Sequence, residues 1–255
     1  MTAGTKRSAV GPPTFVFVHG FLGFGLAHAV TRVVPYFRGL AGAMQQMGIS
    51  YVVPRLPAAG TVAERSRALA DQLSGVAADR LVLVGHSMGG LDARYLAHHF
   101  DPDRRVRGLV TLATPHRGTA VAEHLLAGRG AFCRLAQRYW RPGLEELTPE
   151  ACRRRNEALT DRADIRCVSY AGERPRGELP VWLRPLADVL DGPNDGLVTV
   201  ASAEWGALHP ILRADHFEIV GWSFARSRAA VGHPFPHLAL YRSIIEDASG
   251  IGATD

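Results

Sequence analysis

Cysteine is scarce in this sequence, which has only Cys133, Cys152 and Cys167. Three thiols cannot build the disulfide framework of a small secreted domain, and their spacing matches no metal-binding motif. We therefore expect free, buried thiols. A Cys133–Cys152 bridge is the alternative if both residues lie in one inserted segment.

Long apolar runs are also lacking. No stretch is long enough to span a membrane as a helix, and no apolar signal-peptide segment follows Lys6 and Arg7. These absences predict a cytoplasmic protein without a transmembrane segment. The alternative is a secreted protein whose leader has been removed.

Lysine is nearly missing, because Lys6 is the only one among 29 basic residues. The formal net charge is nevertheless +5 and the sequence pI is about 9.5. Since the arginines are scattered and form no basic stripe, we expect no nucleic-acid partner. A transient contact with lipid or other anionic interfaces is the association that this charge favours.

What the chain does contain is an alternation of apolar runs and helical patterns, with 47% hydrophobic and 21% charged residues. This pattern predicts a single α/β domain over residues 1–255, with a mostly parallel central sheet flanked by helices. The predicted strands are 14–18, 50–54, 80–84, 106–113 and 165–171. The predicted helices are 36–47, 62–76, 88–100, 184–190 and 237–248.

The segment 118–164 separates two predicted strands by far more residues than such connections usually need. It contains three helical patterns of its own, at 121–126, 132–139 and 149–159. An insertion at this point would lie over the carboxyl ends of the strands. We therefore predict a helical cap or lid, with a purely structural excursion as the alternative.

The most informative segment is Gly85–Gly90, which reads GHSMGG and lies between the apolar run 81–84 and a helical pattern. A G-x-S-x-G sequence between a strand and a helix is the nucleophile elbow of α/β-hydrolases. The glycines leave room for a tight turn in which a Cβ atom would clash. Ser87 is therefore the predicted nucleophile, exposed at the carboxyl end of the sheet.

A serine nucleophile needs a base and a carboxylate that orients the base, and in this fold the acid precedes the histidine along the chain. Asp195 is the predicted acid because it lies in a Pro-Asn-Asp-Gly turn sequence. His216, on a loop before the C-terminal helical pattern, is the predicted base. The alternatives are Asp188, Asp191 and Asp215 for the acid, and His209, His233 and His237 for the base.

Two backbone N–H groups must stabilise the oxyanion that forms in such a reaction. Met88, directly after the nucleophile, is predicted to supply one, and Phe21, in the loop after the first strand, the other. We expect the side chains of Phe21 and Met88 to line an acyl pocket, with simple packing as the alternative. His19 and His86 are interpreted as structural hydrogen-bonding groups around the elbow.

Five segments together resemble the bacterial triacylglycerol lipase family of the α/β-hydrolase superfamily. They occur in the order of that family and are Val18–Gly23 (VHGFLG), Gly85–Gly90, Ala113–Gly118 (ATPHRG), Gly192–Leu197 (GPNDGL) and Asp215–Glu218 (DHFE). The resemblance implies an α/β-hydrolase fold and a catalytic triad of Ser87, Asp195 and His216. It also implies an oxyanion hole at Phe21 and Met88.

One departure from that family concerns a metal. Its secreted members often carry a structural calcium near the catalytic histidine, with an Asp two residues after the histidine and a Gln four further on. Here these positions hold Glu218 and Trp222. A carboxylate can ligate calcium, but an indole cannot. We therefore predict no cofactor and no required metal, with a structural calcium as the less favoured alternative.

The predicted function is a serine carboxylic ester hydrolase, a lipase that cleaves acylglycerols or other lipophilic esters through an acyl-enzyme. A soluble short-chain esterase or polyester hydrolase is the first alternative. A catalytically silent hydrolase-fold binding protein is the second, and it is disfavoured because every residue type of the triad occurs in the expected order.

Overall fold

A computed structural model of the chain describes residues 11–23, 35–224 and 234–249. Its centre is a six-stranded, fully parallel sheet in the order β2-β1-β3-β4-β5-β6. The strands are β1 Thr14–Val18, β2 Tyr51–Val52, β3 Leu81–His86, β4 Val106–Leu112, β5 Arg166–Tyr170 and β6 Ala207–Leu208. The predicted α/β architecture with a parallel sheet is confirmed.

Helices cover both faces of this sheet. They are α1 Leu40–Met47, α2 Val62–Ser74, α3 Met88–His99, α4 Ala120–Ala127, α5 Ala131–Glu146, α6 Pro149–Ala158, α7 Arg184–Ala187, α8 Val200–Ala203 and α9 His237–Ser249. Single 3₁₀ turns lie at Arg176–Glu178 and Glu218–Val220. Among the described residues, no helix is long and apolar enough to cross a membrane.

Side-chain alternation along the strands divides the core into two layers. Phe15 and Phe17 of β1 pack in a cluster with residues of α1 and α9, whereas Val16 and Val18 pack with residues of α2 and α3. Because successive strand residues point to opposite faces, a strand buried on both sides must be apolar at every position. This explains the continuous apolar runs in the sequence.

Some predicted boundaries are wrong. The helix predicted from residue 36 begins at Leu40, because Gly39 adopts a left-handed φ of 68°. The helix predicted over 184–190 ends at Ala187, and the strand predicted over 50–54 contains only Tyr51 and Val52. The strand β6 was not predicted, because two residues carry no periodic signal.

The three helices α4, α5 and α6 occupy the long connection between β4 and β5. Their apolar residues pack with Phe21 and Met88, which follow β1 and β3, and with Leu197. The inserted segment therefore covers the loops at the carboxyl edge of the sheet. The three cysteines are free, so the Cys133–Cys152 bridge is not formed. Cys152 is buried as expected, whereas Cys133 and Cys167 are partly exposed.

Candidate active site

Ser87 lies at the sharp turn between β3 and α3. Its backbone has φ 54° and ψ −130°, a region that is strained for a residue with a Cβ atom. The Ser87 N–H donates to the carbonyl of Leu112 at 2.9 Å, which ties the turn to the end of β4. The strained serine is therefore held by the neighbouring strand, in the geometry of a nucleophile elbow.

The glycines around Ser87 are required by close backbone contacts. A Cβ atom on Gly89 would lie 2.3 Å from the carbonyl oxygen of Val18, and one on Gly85 would lie 2.5 Å from Gly90 Cα. A Cβ atom on Gly20 would lie 2.8 Å from the Cβ of Ser87 itself. The loop after β1 thus passes directly beside the serine, which only glycine permits.

Asp195 and His216 are in direct contact, although 21 residues separate them in the sequence. The Nδ1 of His216 donates to Asp195 Oδ2 at 2.7 Å, and the His216 N–H donates to the carbonyl of Asp195 at 3.0 Å. The other carboxylate oxygen, Oδ1, accepts from the N–H groups of Leu197 and Val198 at 2.9 and 2.7 Å. The carboxylate is therefore fixed, and it fixes the imidazole with Nε2 available as a base.

The elbow and the histidine loop are joined through His86. Its Nε2 donates to the carbonyl of His216 at 3.0 Å, and the two imidazole rings lie 4.6 Å apart. Within the described part of the chain, the Ser87 hydroxyl and His216 Nε2 do not hydrogen-bond to each other. Such catalytic contacts are often long without substrate and tighten when it binds.

The alternative acids and bases have other partners or positions. Asp188 pairs with Arg176 on the surface, Asp191 is exposed, and Asp215 accepts the N–H groups of Phe217 and Glu218. His209 stacks on Tyr170, and His237 Nε2 contacts the carbonyl of Arg38. His233 lies outside the described residues.

Two amide groups are available for an oxyanion. Among the described residues, the N–H groups of Phe21 and Met88 donate to no acceptor, whereas the neighbouring Leu22 N–H donates to Ala58 at 2.7 Å. The Met88 side chain is fully buried in a cluster with Val62 and Leu91. The expectation that this side chain lines an acyl pocket is therefore wrong, because it packs in the core.

The Gly20–Phe21 peptide, which carries the Phe21 N–H, is fixed by a hydrogen bond to its carbonyl group. His19 Nδ1 donates to the Gly20 carbonyl at 2.8 Å, while its Nε2 accepts from the Leu56 N–H at 3.1 Å. Burial, together with the nearby charge of Arg65, lowers the pKa of His19 to about 3. The ring is therefore neutral, and its two contacts fix one tautomer.

Arg65 also contacts the loop after β1. Its Nη2 donates to the carbonyls of His19 and Gly20 at 2.7 and 3.4 Å, and its Nε donates to Asp92 Oδ2 at 2.8 Å. The side chains of both Arg65 and Asp92 are fully buried. Burial raises the pKa of Asp92 to about 6, against the opposing effect of Arg65. A cation beside the Gly20 carbonyl polarises the peptide and makes the Phe21 N–H a stronger donor.

Tyr36 connects the loop after β1 to His86. Its hydroxyl accepts from the Gly20 N–H at 3.1 Å and donates to His86 Nδ1 at 2.7 Å. Burial lowers the pKa of His86 well below its usual range, so this ring is neutral. One chain of hydrogen bonds thus runs from the loop after β1 through Tyr36 and His86 to the backbone of His216. The interpretation of His19 and His86 as hydrogen-bonding groups agrees with these contacts.

Three residues near this site were not predicted from the sequence, namely Tyr36, Arg65 and Arg174. They lie in segments without a recognisable motif, and their partners are far away in the sequence. No local pattern could have identified them, because their contacts depend on the tertiary fold.

The residues at the possible calcium positions do not fit a metal ion. The Oε2 atom of Glu218 accepts from Arg174 Nη2 at 2.8 Å, and the Trp222 indole donates to the carbonyl of Tyr36 at 2.9 Å. A guanidinium therefore already contacts the carboxylate. Within the described ranges, no group of three His, Cys, Asp or Glu side chains could hold a metal.

Known proteins similar to this chain are lipases and esterases. Triacylglycerol lipase 2 of Saccharomyces cerevisiae is 28% identical over 245 residues, which cover 86% of this chain and 74% of that protein. The triacylglycerol lipase of Pseudomonas fragi is 32% identical over 117 residues, which cover 43% of this chain and 37% of that protein. The bacterial relative thus matches only part of each chain.

Two solved structures share the fold over nearly the whole chain. A metagenomic carboxyl esterase has a TM-score of 0.77 at 21% identity, covering 96% of this chain and 80% of its own. The Staphylococcus hyicus lipase has a TM-score of 0.71 at 18% identity, covering 97% and 98%. The PGAP1-like alpha/beta domain matches residues 68–202, which include the elbow and Asp195. Together with the triacylglycerol lipase relatives, these structures support the lipase family of the α/β-hydrolase superfamily that the motifs predicted. Because the domain match covers more than half of the chain, the chain belongs to the PGAP1-like alpha/beta domain family.

Proposed function

We propose that this protein hydrolyses lipophilic carboxylic esters, acylglycerols among them, with Ser87 as nucleophile, His216 as base and Asp195 as the orienting acid. Its relatives make it a lipase-type ester hydrolase. The observation that carries the assignment of roles is the 2.7 Å contact between His216 Nδ1 and Asp195, in a loop joined to the elbow through His86. Two amides without an acceptor among the described residues, those of Phe21 and Met88, support it.

The reaction has two halves. The Ser87 hydroxyl attacks the ester carbonyl while His216 Nε2 takes its proton, and the Phe21 and Met88 N–H groups stabilise the oxyanion. The imidazolium gives that proton to the departing alcohol, which leaves an acyl-enzyme. His216 then activates a water molecule, and the acid is released as the Ser87 proton is restored.

The test of this assignment is the substrate profile of the purified protein. We expect turnover of p-nitrophenyl esters from acetate to palmitate and of emulsified tributyrin and triolein, together with covalent labelling of Ser87 by a fluorophosphonate. EDTA should leave these rates unchanged. Activity confined to soluble short-chain esters would show that the protein is an esterase and not a lipase. The absence of both labelling and turnover would show that it is a catalytically silent binding protein.

The inserted segment presents a surface suited to lipid. Phe132, Leu135 and Tyr139 lie on one side of α5 and are 56%, 47% and 65% exposed. Arg134 and Arg138 lie on the adjacent side of the same helix, since residues three or four apart are neighbours on a helix surface. An apolar stripe beside arginines is typical of a helix that rests on a lipid interface. We propose that α5 contacts the lipid substrate aggregate.

Replacing Phe132, Leu135 and Tyr139 together by Ser should lower the rate on emulsified triolein about tenfold, since burial of a few such side chains is worth at least ~1.5 kcal/mol. The rate on dissolved p-nitrophenyl butyrate should not change. Tyr51→Ser, at an exposed aromatic residue on β2, is the matched control. Equal losses on the emulsion and on the dissolved ester would contradict a contact with lipid.

A further inference from the structure

Arg174 is a buried arginine between the loop that carries Asp195 and the loop that carries His216. Its side chain is 2% exposed. Its backbone N–H donates to the carbonyl of Asn194 at 2.9 Å, directly before Asp195. The guanidinium contacts the carboxylate of Glu218 through Nε at 3.0 Å and Nη2 at 2.8 Å. One residue therefore connects both loops.

Glu218 links Arg174 to the turn 215–218, which contains His216. The same Oε2 atom accepts the Asp215 N–H at 3.0 Å, and Asp215 Oδ1 accepts the N–H groups of Phe217 and Glu218 at 2.9 Å each. These contacts close a tight turn with His216 inside it. The third guanidinium nitrogen, Nη1, donates to Glu178 at 3.1 Å.

Buried acidic side chains lie close together around this turn, and Arg174 supplies a positive charge beside them. Asp195, Asp215 and Glu218 are all buried acidic residues within two short loops. Burial, together with the charges of Glu218 and Asp195, raises the pKa of Asp215 to about 6. Among the described residues, Glu218 Oε1 has no hydrogen-bond partner, so the guanidinium at Oε2 carries the compensation. An arginine cannot lose its charge and bonds in a planar fork, which suits this position.

We propose that Arg174 is a positioning residue for His216: its guanidinium is a built-in cation that joins the acid loop to the histidine loop, so that the site needs no bound metal. The inference rests on the proposed function, since His216 is the base of that reaction. Removing Arg174 frees the turn around His216 and leaves Glu218 buried without a counter-charge.

The experiment compares wild type, Arg174→Ala, Arg174→Lys and Arg176→Ala, with kcat counted per active site titrated by an organophosphonate ester. Titration of the wild type tests the proposed function separately, before any variant is compared. We expect kcat of Arg174→Ala to fall ten- to a hundredfold with little change in KM, because the orientation of the base is lost rather than substrate binding. Added guanidinium ion should restore part of the kcat.

The controls separate positioning from stability. Arg176→Ala removes an exposed pair with Asp188 in the same segment and should leave kcat unchanged. Arg174→Lys keeps a charge but not the fork, and we expect an intermediate kcat. The paired variant Arg174→Met with Glu218→Leu removes the buried guanidinium together with the carboxylate that it contacts, and it should fold even if Arg174→Ala does not. It should still show the fall in kcat.

Two results would overturn the proposal. The first is a kcat per titrated site within twofold of wild type in the paired variant or in Arg174→Ala, which would make Arg174 merely structural. The second is a wild-type enzyme whose kcat or melting temperature falls with EDTA and returns with Ca²⁺. If the wild type cannot be titrated, the proposed function is disproved. The inference about Arg174 is then tested by the melting temperature alone, and a rise on addition of Ca²⁺ would overturn it.

Discussion

Replacing Ser87 by Ala is expected to lower kcat on p-nitrophenyl butyrate by about a millionfold, as in a triad enzyme that has lost its serine nucleophile. The residual rate comes from binding and from the oxyanion donors alone. Alanine keeps the Cβ atom of serine, so the strain at φ 54° is the same in both proteins. The melting temperature should therefore be unchanged, and the loss can be attributed to the missing hydroxyl.

The measurement needs two companions. Ser74→Ala, at an exposed serine that ends α2, should keep the wild-type rate. Fluorophosphonate labelling followed by peptide mass analysis should locate the adduct on the peptide with Ser87 and find none in Ser87→Ala. A variant that retained a hundredth of the wild-type rate would show that another residue is the nucleophile.

The parts of the site that could be predicted from the sequence are those whose chemistry forces a local pattern. The turn at Ser87 brings backbone within 2.3–2.5 Å of where a Cβ atom would stand on Gly85 and Gly89. Glycines therefore mark the elbow in the sequence. Asp195 lies in a turn whose residues bind its carboxylate through N–H groups two and three positions on. That arrangement also leaves a sequence signal.

The residues that could not be predicted act across the fold. Tyr36 contacts His86 over 50 positions, and Arg65 contacts the carbonyl of His19 over 46. Neither contact imposes a pattern on its neighbours in the chain. Arg174 could not be predicted either. The sequence shows that Glu218 and Trp222 depart from the family's calcium positions, but only the structure shows that Arg174 contacts Glu218.

Tyr36 and Arg174 share one property, which is that each connects loops that carry residues of the proposed site. Tyr36 and His86 connect the loop after β1 to the backbone of His216, and Arg174 connects the loops of Asp195 and His216. A catalytic geometry must be held within a fraction of an ångström. Loops at the edge of a sheet do not have that rigidity by themselves. Buried polar side chains supply it here, between loops that are distant in the sequence.

The second large effect is expected at the buried pair Arg65–Asp92. At pH 8, above the Asp92 pKa of about 6, replacing Asp92 by Asn keeps the shape of the side chain and removes its charge, which leaves the guanidinium buried without a counter-ion. We expect the free energy of unfolding, measured in urea, to fall by about 3–5 kcal/mol. Glu157→Gln is the matched control, because it removes an acid 2.6 Å from Arg153 on the exposed face of α6. Its effect should stay below about 1 kcal/mol.

Replacing Arg65 by Met tests the opposite partner and should have a smaller, pH-dependent effect on stability. A carboxyl group can take up a proton, whereas a guanidinium cannot give one up, so Asp92 is able to neutralise itself. Burial already raises its pKa to about 6 from 3.8, and loss of Arg65 would raise it further. A pKa that is higher in the folded state gives stability that is lost as the pH rises through it. The Arg65→Met protein should therefore be closer to wild type at pH 5 than at pH 8. Equal deficits for Arg65→Met at both pH values would mean that Asp92 is not the group that responds.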